Sequence, residues 1–384
     1  MTTNAQWTTF RKALHTNPEL SNQETATPQS VLAQFDNLNP DEVHQGLGGT
    51  GLAFVYNGEK SGPTTLIRCE LDALPIHEAN TFAHRSRRTG VSHKCGHDGH
   101  MAIVTAVGEK LSHSKVQSGR VILLFQPAEE TGAGAMQVIE DEKFTPLKPD
   151  YAFALHNLPG QPLGEVFVKP GSFNCASRGM TVKLHGKTSH AAHPEDGISP
   201  ATAVSYIIDQ LPKMKAQINE FSLVTVVGAT LGAIDKSGQA PFGTSPGEAT
   251  IMATLRTASN AAMETLVACT VDMIEQCAKS QGLSVEFGWN DVFYACNNTQ
   301  AGYDKVIEAC NNLDINCTTL TEGYRWSEDF GKLRDTATEG AMFTLGAGVE
   351  SPQLHNPDYD FPDALINTGR DIFVEIIRLV NGLG

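Results

Sequence analysis

VILLFQPAEE, residues 121–130, runs from five consecutive apolar residues almost directly into a pair of carboxylates. A short, continuous apolar run is typical of a strand that is buried on both faces of a parallel sheet. A helix is predicted over 133–140, and a second apolar strand over 151–155. Because helices alternate with apolar strands here, the sequence predicts an α/β fold with a mixed, mainly parallel sheet.

The chain before this stretch predicts the same kind of layer. Residues 6–16 and 24–36 have helical patterns, and a further helix is expected over 100–111. Apolar runs over 51–56 and 64–71 predict two strands. Asn57-Gly58 between those runs is a strong hairpin signal, so we expect these two strands to pair with each other.

The pattern of elements changes near residue 175. In order, the sequence predicts a strand, a helix, two strands, a helix and a strand, over 180–184, 199–215, 223–231, 250–255, 260–280 and 284–293. This βαββαβ order is that of a ferredoxin-like unit. A helix, a strand and a helix follow over 303–312, 341–345 and 364–380. We therefore predict a discontinuous α/β domain over 1–174 and 297–384, with an α+β domain inserted over 175–296.

Composition excludes several classes of partner. The 384 residues include 28 Lys plus Arg against 43 Asp plus Glu, a net charge of −15. Nucleic acids and anionic membranes need clustered positive charge, so we expect neither as a partner. The longest apolar run is far shorter than the ~20 residues of a membrane span. With no secretory pattern and eight cysteines without a CxxC pair, we predict a cytoplasmic protein with reduced thiols.

Polar side chains gather where the predicted strands end. Carboxylates and imidazoles follow four strands, and Cys95 and His97 stand just before a helix; the strand-end residues are Asp72, Glu129, Glu130, His156 and His355. Open α/β sheets bind ligands at the edge formed by the carboxyl ends of their strands. Thiolate, imidazole and carboxylate together form a donor set for Zn²⁺ and related divalent metals.

Each of these residues alone has a commonplace explanation. A lone cysteine is usually a small buried hydrophobic residue. Adjacent glutamates such as Glu129 and Glu130 ordinarily begin a solvated helix, because acidic residues favour the first turn. The convergence of five ligand-type side chains on one sheet edge is what favours a metal site.

Seven stretches stand in order along nearly the whole chain: LDALPI (71–76), HKCGHDGHM (93–101), FQPAEETGAGA (125–135), HNLPG (156–160), GKTSHAAHP (186–194), SEDFG (327–331) and HNPDYD (355–360). Together they resemble peptidase family M20. The similarity is greatest to its amidohydrolase subfamily, which includes aminoacylases, hippurate hydrolases and auxin-conjugate hydrolases.

The resemblance implies a catalytic domain that holds two divalent metal ions, Zn²⁺ or Mn²⁺ with Ni²⁺ or Co²⁺ as alternatives, and a satellite domain that carries homodimer contacts. The positions matching the metal ligands are Cys95, His97, Glu130, His156 and His355. Glu129 matches the general base, and Asp72 matches the aspartate that orients a metal-bound group. His190 matches a histidine that approaches the substrate carbonyl, and Glu328 lies in the SEDF motif.

Three positions bear on how this chain compares with the family that it resembles. Other branches have a histidine ligand where this chain has Glu70, so the resemblance implies the cysteine-containing metal set. Gly243 stands where many relatives have an asparagine, which leaves substrate recognition by the inserted domain open. Arg256 is either a bidentate partner for a substrate carboxylate or a member of a surface ion pair.

The leading hypothesis is a binuclear metallohydrolase that cleaves the amide bond of an N-acyl amino acid or a related small amide. A dipeptidase or carboxypeptidase with the same centre is the alternative, and it differs in whether the acyl group carries a free amine. A catalytically silent metal-binding or interaction protein is the third hypothesis. The complete ligand set together with Glu129 favours an enzyme.

Overall fold

The computed structural model describes residues 5–234 and 238–384. Its helices are α1 (Ala5–Thr16), α2 (Ala26–Phe35), α3 (His97–His113), α4 (Gly134–Glu140), α5 (Ala201–Gln210), α6 (Asn260–Ser280), α7 (Gln300–Asn312), α8 (Phe330–Arg334) and α9 (Leu365–Asn381). None of these helices, which cover the described part of the chain, is both long and apolar enough to cross a membrane.

The first seven strands precede residue 175. They are β1 (Glu42–Leu47), β2 (Gly51–Asn57), β3 (Lys60–Glu70), β4 (Ser118–Gln126), β5 (Tyr151–Leu158), β6 (Val166–Val168) and β7 (Gly171–Asn174). The later strands are β8 (Ala176–His185), β9 (Ser189–His190), β10 (Ser222–Leu231), β11 (Thr244–Ser245), β12 (Glu248–Thr257), β13 (Ser284–Phe293), β14 (Cys296–Asn298), β15 (Cys317–Thr319) and β16 (Glu339–Gly346).

The described chain divides into two compact units. The first comprises the described residues up to Phe173 together with Cys296–Tyr324 and Glu328–Gly384. The second comprises the described residues of Asn174–Ala295 together with Arg325–Ser327. Each unit has a hydrophobic core of its own.

The first unit is built on a mixed sheet with strand order β1-β2-β4-β3-β5-β16-β6-β15. The strands β4, β3, β5 and β16 at its centre run parallel to their neighbours in that series. Val121 and Phe125 of β4 are fully buried, as the apolar run predicts. Helix α3 contacts both α1 and α9, and α3 and α9 contact the strands β3 and β4 of this sheet. The predicted α/β class with a mixed, largely parallel sheet is therefore confirmed.

The predicted hairpin between β2 and β3 is wrong. The strand β4 lies between them and pairs antiparallel with β2 and parallel with β3. The backbone N–H groups that follow Asn57 donate to the segment leading into β4, from Gly58 to the carbonyl of Gly119 at 2.7 Å and from Lys60 to that of Gln117 at 3.1 Å. The stretch 121–125 has no polar face. Pairing along both of its edges places it in the interior of the sheet, where all five of its side chains are buried.

The second unit contains an antiparallel sheet with strand order β10-β12-β8-β13. Its main elements β8, α5, β10, β12, α6 and β13 follow the predicted βαββαβ order. The helix predicted over 199–215 is shorter than expected. The α-helix ends at Gln210 and a 3₁₀ segment, Leu211–Gln217, follows it. Pro212 explains the change, because proline lacks the N–H that would continue the α-helical ladder.

Candidate metal centre

Gly96 sets the geometry of the Cys95-Gly96-His97 turn at the start of α3. Its φ is +95°, and a Cβ at this position would lie 2.4 Å from Oδ1 of Asn157. Glycine alone accepts both the left-handed backbone and the close approach. Cys95 and His97 are consequently brought to the same side of the turn, and both side chains are buried.

The other candidate ligands lie in one strand of the sheet or in the segments that follow two others. His156 lies inside β5, which extends to Leu158, so the prediction that it follows the strand is wrong by three residues. Glu129 and Glu130 belong to a single 3₁₀ turn, Glu129–Thr131, after β4. His355 lies on the loop after β16, where its N–H donates to the carbonyl of Lys94 at 2.8 Å.

The structure brings the five predicted ligands together. The Cys95 Sγ and His156 Nε2 atoms are 3.4 Å apart, and His355 Nε2 is 3.9 Å from Glu130 Oε2. His97 Nε2 is 3.8 Å from Glu130 Oε1. The ligand atoms form two groups, each within 4.8 Å, and Cys95 belongs to both: Cys95, His97 and His156, and Cys95, Glu130 and His355.

Backbone carbonyls orient two of the imidazoles. Nδ1 of His97 lies 2.9 Å from the carbonyl oxygen of Asp72, and Nδ1 of His156 lies 2.7 Å from that of Asn157. A carbonyl can only accept, so each Nδ1 carries the proton and each Nε2 presents a lone pair. This is the arrangement in which a histidine binds a metal through one nitrogen and is held by the other.

The residues of the cluster fit divalent cations. His97 Nε2 and Glu130 Oε1 are buried and have no hydrogen-bond partner. Burial raises the pKa of Glu130 to about 7, and it also raises the pKa of the Cys95 thiol. Both shifts follow mainly from burial, and a bound cation would favour the ionised form of each group. Thiolate, imidazole and carboxylate donors are the set that Zn²⁺ and its neighbours select.

Glu129 stands beside the candidate ligands in a different environment. Its Oε2 lies 3.8 Å from His97 Nε2, and its Oε1 accepts the N–H of Asp329 at 3.4 Å. Burial, with the carboxylates of Glu328 and Glu130 nearby, raises its pKa well above the ordinary value. A buried carboxyl whose pKa is raised by its surroundings is typical of a group that takes up and releases a proton during catalysis.

Asp72 connects two parts of the centre. Its Oδ2 accepts the N–H of Glu130 at 3.0 Å and the hydroxyl of Ser21 at 2.7 Å. Its Oδ1 is 3.5 Å from His97 Nδ1. Asp72 therefore contacts both the turn that carries the glutamates and the histidine at the start of α3.

A buried ionic cluster adjoins the centre, and sequence reasoning gave it no role. Arg68 on β3 donates to Glu70, to Glu328 at 2.8 Å and to Asp329 at 2.6 Å. Glu70 in turn contacts His100, with Oε2 and Nδ1 2.6 Å apart. Glu70, His97 and His100 form another group of close donor atoms. The sequence contains one signal for this cluster, because two charged residues, Arg68 and Glu70, lie inside a strand that is otherwise predicted to be apolar.

The remaining predicted residues lie in the second unit. His190 is exposed on β9, where it pairs with Thr244, and its Nδ1 accepts the N–H of Ala192 at 3.0 Å. Arg256 donates to the carbonyl of Arg325 at 3.1 Å and to the hydroxyl of Ser327 at 2.9 Å. The roles of His190 and Arg256 toward a substrate stay predictions.

Comparison with known proteins gives a consistent result. The sequence model of the Peptidase family M20/M25/M40 matches residues 66–379. The hippurate hydrolase of Campylobacter jejuni is 27% identical over 369 residues, which cover 96% of this chain and 94% of that protein. The N-acetyldiaminopimelate deacetylase of Exiguobacterium sibiricum is 28% identical over 376 residues, with 96% and 98% covered.

Solved structures share the fold. The YXEP protein of Bacillus subtilis, described as a dinuclear metal binding peptidase from the M20 family, superposes with a TM-score of 0.82. The match covers 98% of each chain at 24% sequence identity.

Proposed function

The chain belongs to the peptidase family M20/M25/M40, and from this premise we propose that it hydrolyses the amide bond of N-acyl amino acids at a centre of two divalent metal ions. Its relatives include proteins named for the removal of an acyl group from an amino acid. The observation that carries the proposal is the convergence of five donor side chains around Glu129; these are Cys95, His97, Glu130, His156 and His355.

Those five side chains would hold the two ions, and their donor atoms lie in groups that fit a divalent cation. We propose Zn²⁺ or Mn²⁺ as the physiological metal, because the thiolate and imidazole donors favour Zn²⁺ and the carboxylate of Glu130 is a donor that also suits Mn²⁺. When bound, such a pair supplies Lewis acidity, which acidifies a water molecule and polarises the carbonyl of an amide.

Glu129 is proposed as the general base and acid. Its carboxylate accepts a proton from the attacking water and then gives that proton to the departing amide nitrogen. Glu129 is buried, which limits the exchange of this proton with bulk water. Asp72 contacts both His97 and the backbone N–H of Glu130. It therefore fixes the turn that carries Glu129 and Glu130 relative to His97.

The second unit contributes two further proposals. The resemblance of 186–194 to the family supports His190 as a hydrogen-bond donor to the substrate carbonyl oxygen. Exposed apolar side chains on the edge strand β10 support a homodimer through this unit; Val227 is 62% exposed, and Leu223 and Leu231 are exposed beside it. A contiguous apolar face on an edge strand is typical of a protein interface.

The test is amine release by the purified protein loaded with Zn²⁺ or Mn²⁺. The substrates are N-acetyl, N-benzoyl and longer N-acyl amino acids, each beside a dipeptide with the same carboxyl-terminal residue. We expect release from the acyl amino acids and its loss after treatment with a chelator. Release mainly from the dipeptides, or none from either set by fully metallated protein, would contradict the proposal.

A further inference from the structure

We propose that Glu24 is a positioning residue for the metal centre, because it fixes the turn that carries Glu129 and Glu130. The inference rests on the proposed function in one respect, which is that Glu130 is a metal ligand and Glu129 is the base. Glu24 lies in the loop between α1 and α2, outside every stretch that the sequence connects with chemistry.

The carboxylate of Glu24 reaches the turn directly. It is fully buried, and its Oε1 accepts the N–H of Ala128 at 2.9 Å although the two residues are 104 positions apart. Its Oε2 accepts the hydroxyl of Thr50 at 3.2 Å. Both partners donate, and each oxygen of the carboxylate therefore has a hydrogen bond that fixes its orientation.

The residue that Glu24 holds has a strained backbone. Ala128 has φ +51° and ψ +40°, the left-handed region that residues with a Cβ rarely adopt. It immediately precedes the 3₁₀ turn Glu129–Thr131. Such a conformation persists only where its surroundings enforce it. Three hydrogen bonds hold this backbone: the N–H of Ala128 donates to Glu24, and its carbonyl accepts the hydroxyl of Thr131 and the N–H of Gly134, each at 3.1 Å. Of these, the bond to Glu24 comes from outside the segment 128–134, and the directions of the next two side chains depend on the backbone that it holds.

The same loop also reaches the far side of the turn. The hydroxyl of Ser21 donates to Asp72 Oδ2 at 2.7 Å, and the same oxygen accepts the N–H of Glu130 at 3.0 Å. The loop therefore acts on Ala128 through Glu24, and on Glu130 through Asp72. Two anchors on either side of Glu129 leave the turn little freedom to move.

A purely local role does not account for Glu24. The start of α2 is capped by Glu19, whose carboxylate accepts the N–H groups of Thr25, Ala26 and Thr27 at 2.8, 2.9 and 2.8 Å. Glu19 is a buried glutamate of the same loop, with no contact to the 128–131 turn among its side-chain partners. It is therefore a matched control for the loss of a buried carboxylate.

The experiment measures Zn²⁺ binding by calorimetry in the metal-free full-length protein, together with the melting temperature. For Glu24→Ala we expect Zn²⁺ binding to weaken at least about tenfold, the range seen for residues that orient metal ligands. Glu24→Gln keeps an acceptor for Ala128 and is expected to bind within about threefold of wild type. Glu19→Ala is expected to lower the melting temperature and to leave the Zn²⁺ affinity within about twofold.

Unchanged Zn²⁺ affinity in Glu24→Ala would overturn the inference. So would equal weakening in Glu24→Ala and Glu19→Ala, which would indicate general loosening of the loop, or equal weakening in Glu24→Gln and Glu24→Ala. Hydrolysis is measured separately on the same samples. Wild-type protein that binds Zn²⁺ but releases no amine would contradict the proposed function, and the comparison of Zn²⁺ affinities would still decide the role of Glu24.

Discussion

Glu129 and Glu130 are neighbours in the chain, and each has one oxygen 3.8 Å from His97 Nε2, but their other contacts differ. Glu130 presents an unpartnered oxygen toward His97, whereas Glu129 accepts a backbone N–H from the segment that contains Glu328. A metal ligand must stay ionised, and a base must exchange a proton. The two environments separate these roles between adjacent residues.

Replacement of Glu129 by glutamine should abolish turnover without removing the metals. Glutamine keeps the size of the side chain but cannot accept a proton, and proton transfer by a positioned side chain contributes about 10²–10⁴-fold to rate. We expect kcat to fall by about 10³-fold with metal content unchanged, measured by amine release and by elemental analysis. Glu140→Gln, on the exposed side of α4, is the matched control. Substantial activity in Glu129→Gln would exclude Glu129 as the base.

The sequence predicted those site residues that stand in a short motif beside a predicted strand or helix end. Cys95, His97 and the glutamate pair all stand next to predicted strand or helix ends, and the structure groups them. Glu24 and Arg68 could not be predicted in this way. Each acts through contacts with residues tens to hundreds of positions away. Only the order of the strands, which sequence periodicity does not give, brings such residues together.

At the scale of single elements, Glu19 stabilises the start of α2. Burial raises its pKa, but the N–H groups of Thr27, Ala26 and Thr25 outweigh burial and hold its pKa below the ordinary value. A carboxyl with a lowered pKa in the folded state contributes stability above its unfolded pKa, and that contribution is lost as pH falls through the folded pKa.

Glu19→Gln should therefore destabilise the protein in a pH-dependent way. We expect the free energy of unfolding to fall by about 1–2 kcal/mol near neutral pH, in the range of a lost charged helix cap. The difference from wild type should shrink as pH falls below the ordinary pKa of glutamate and through the lower pKa of Glu19 in the folded protein, where the wild-type carboxylate also takes up its proton. Urea unfolding across this pH range measures both. Exposed Glu322→Gln is the control, and a difference that grows as pH falls would contradict the sign.

Gly302 determines how closely α7 packs against β16. A Cβ at this position would lie 2.2 Å from the carbonyl carbon and oxygen of Gly340. Thr299, the cap of α7, bonds the same backbone: its N–H donates to the carbonyl of Gly340 at 3.0 Å. The helix cannot retreat without breaking this contact.

For Gly302→Ala we expect a net loss of about 2 kcal/mol in the free energy of unfolding. Displacement of packed backbone lowers the free energy of unfolding by about 3 kcal/mol, and the better helix propensity of alanine raises it by about 1 kcal/mol. Thermal and urea unfolding measure the change. Gly243→Ala has nothing within 4 Å of the added Cβ and should be nearly neutral. Equal stability of the two variants would show that α7 adjusts freely.

Elements with a strong pattern were predicted closely, and their pairing was not. The helix over 260–280 has the bounds predicted for it. The hairpin signal at Asn57-Gly58 correctly marks a turn, but local turn chemistry does not reveal that β4, about 60 residues later, separates β2 from β3. Both β2 and β3 pair with β4, the most apolar of these strands, instead of with each other. This pairing depends on a segment that is distant in the sequence, so the local pattern does not predict it.

At the scale of the whole molecule, the second unit is inserted between two strands that pair with each other. The strands β7 and β14, on either side of the insertion, form a two-stranded sheet. The chain thus leaves and re-enters the first unit at neighbouring positions. All five candidate metal ligands belong to the first unit, and the exposed apolar side chains of β10 belong to the second.

This arrangement predicts that metal binding and self-association can be separated. Replacing residues 175–295 by a short Gly-Ser linker should leave Zn²⁺ affinity within about tenfold of wild type, because the ligands and both cores are independent. The same protein should be monomeric by light scattering, whereas the full chain should be a dimer. Val227→Asp in the full chain should also weaken the dimer, and Val349→Asp, an equally exposed apolar side chain of the first unit, should not. A shortened protein that remains dimeric would place the interface in the first unit, and one that folds but binds no Zn²⁺ would mean that the second unit supports the centre.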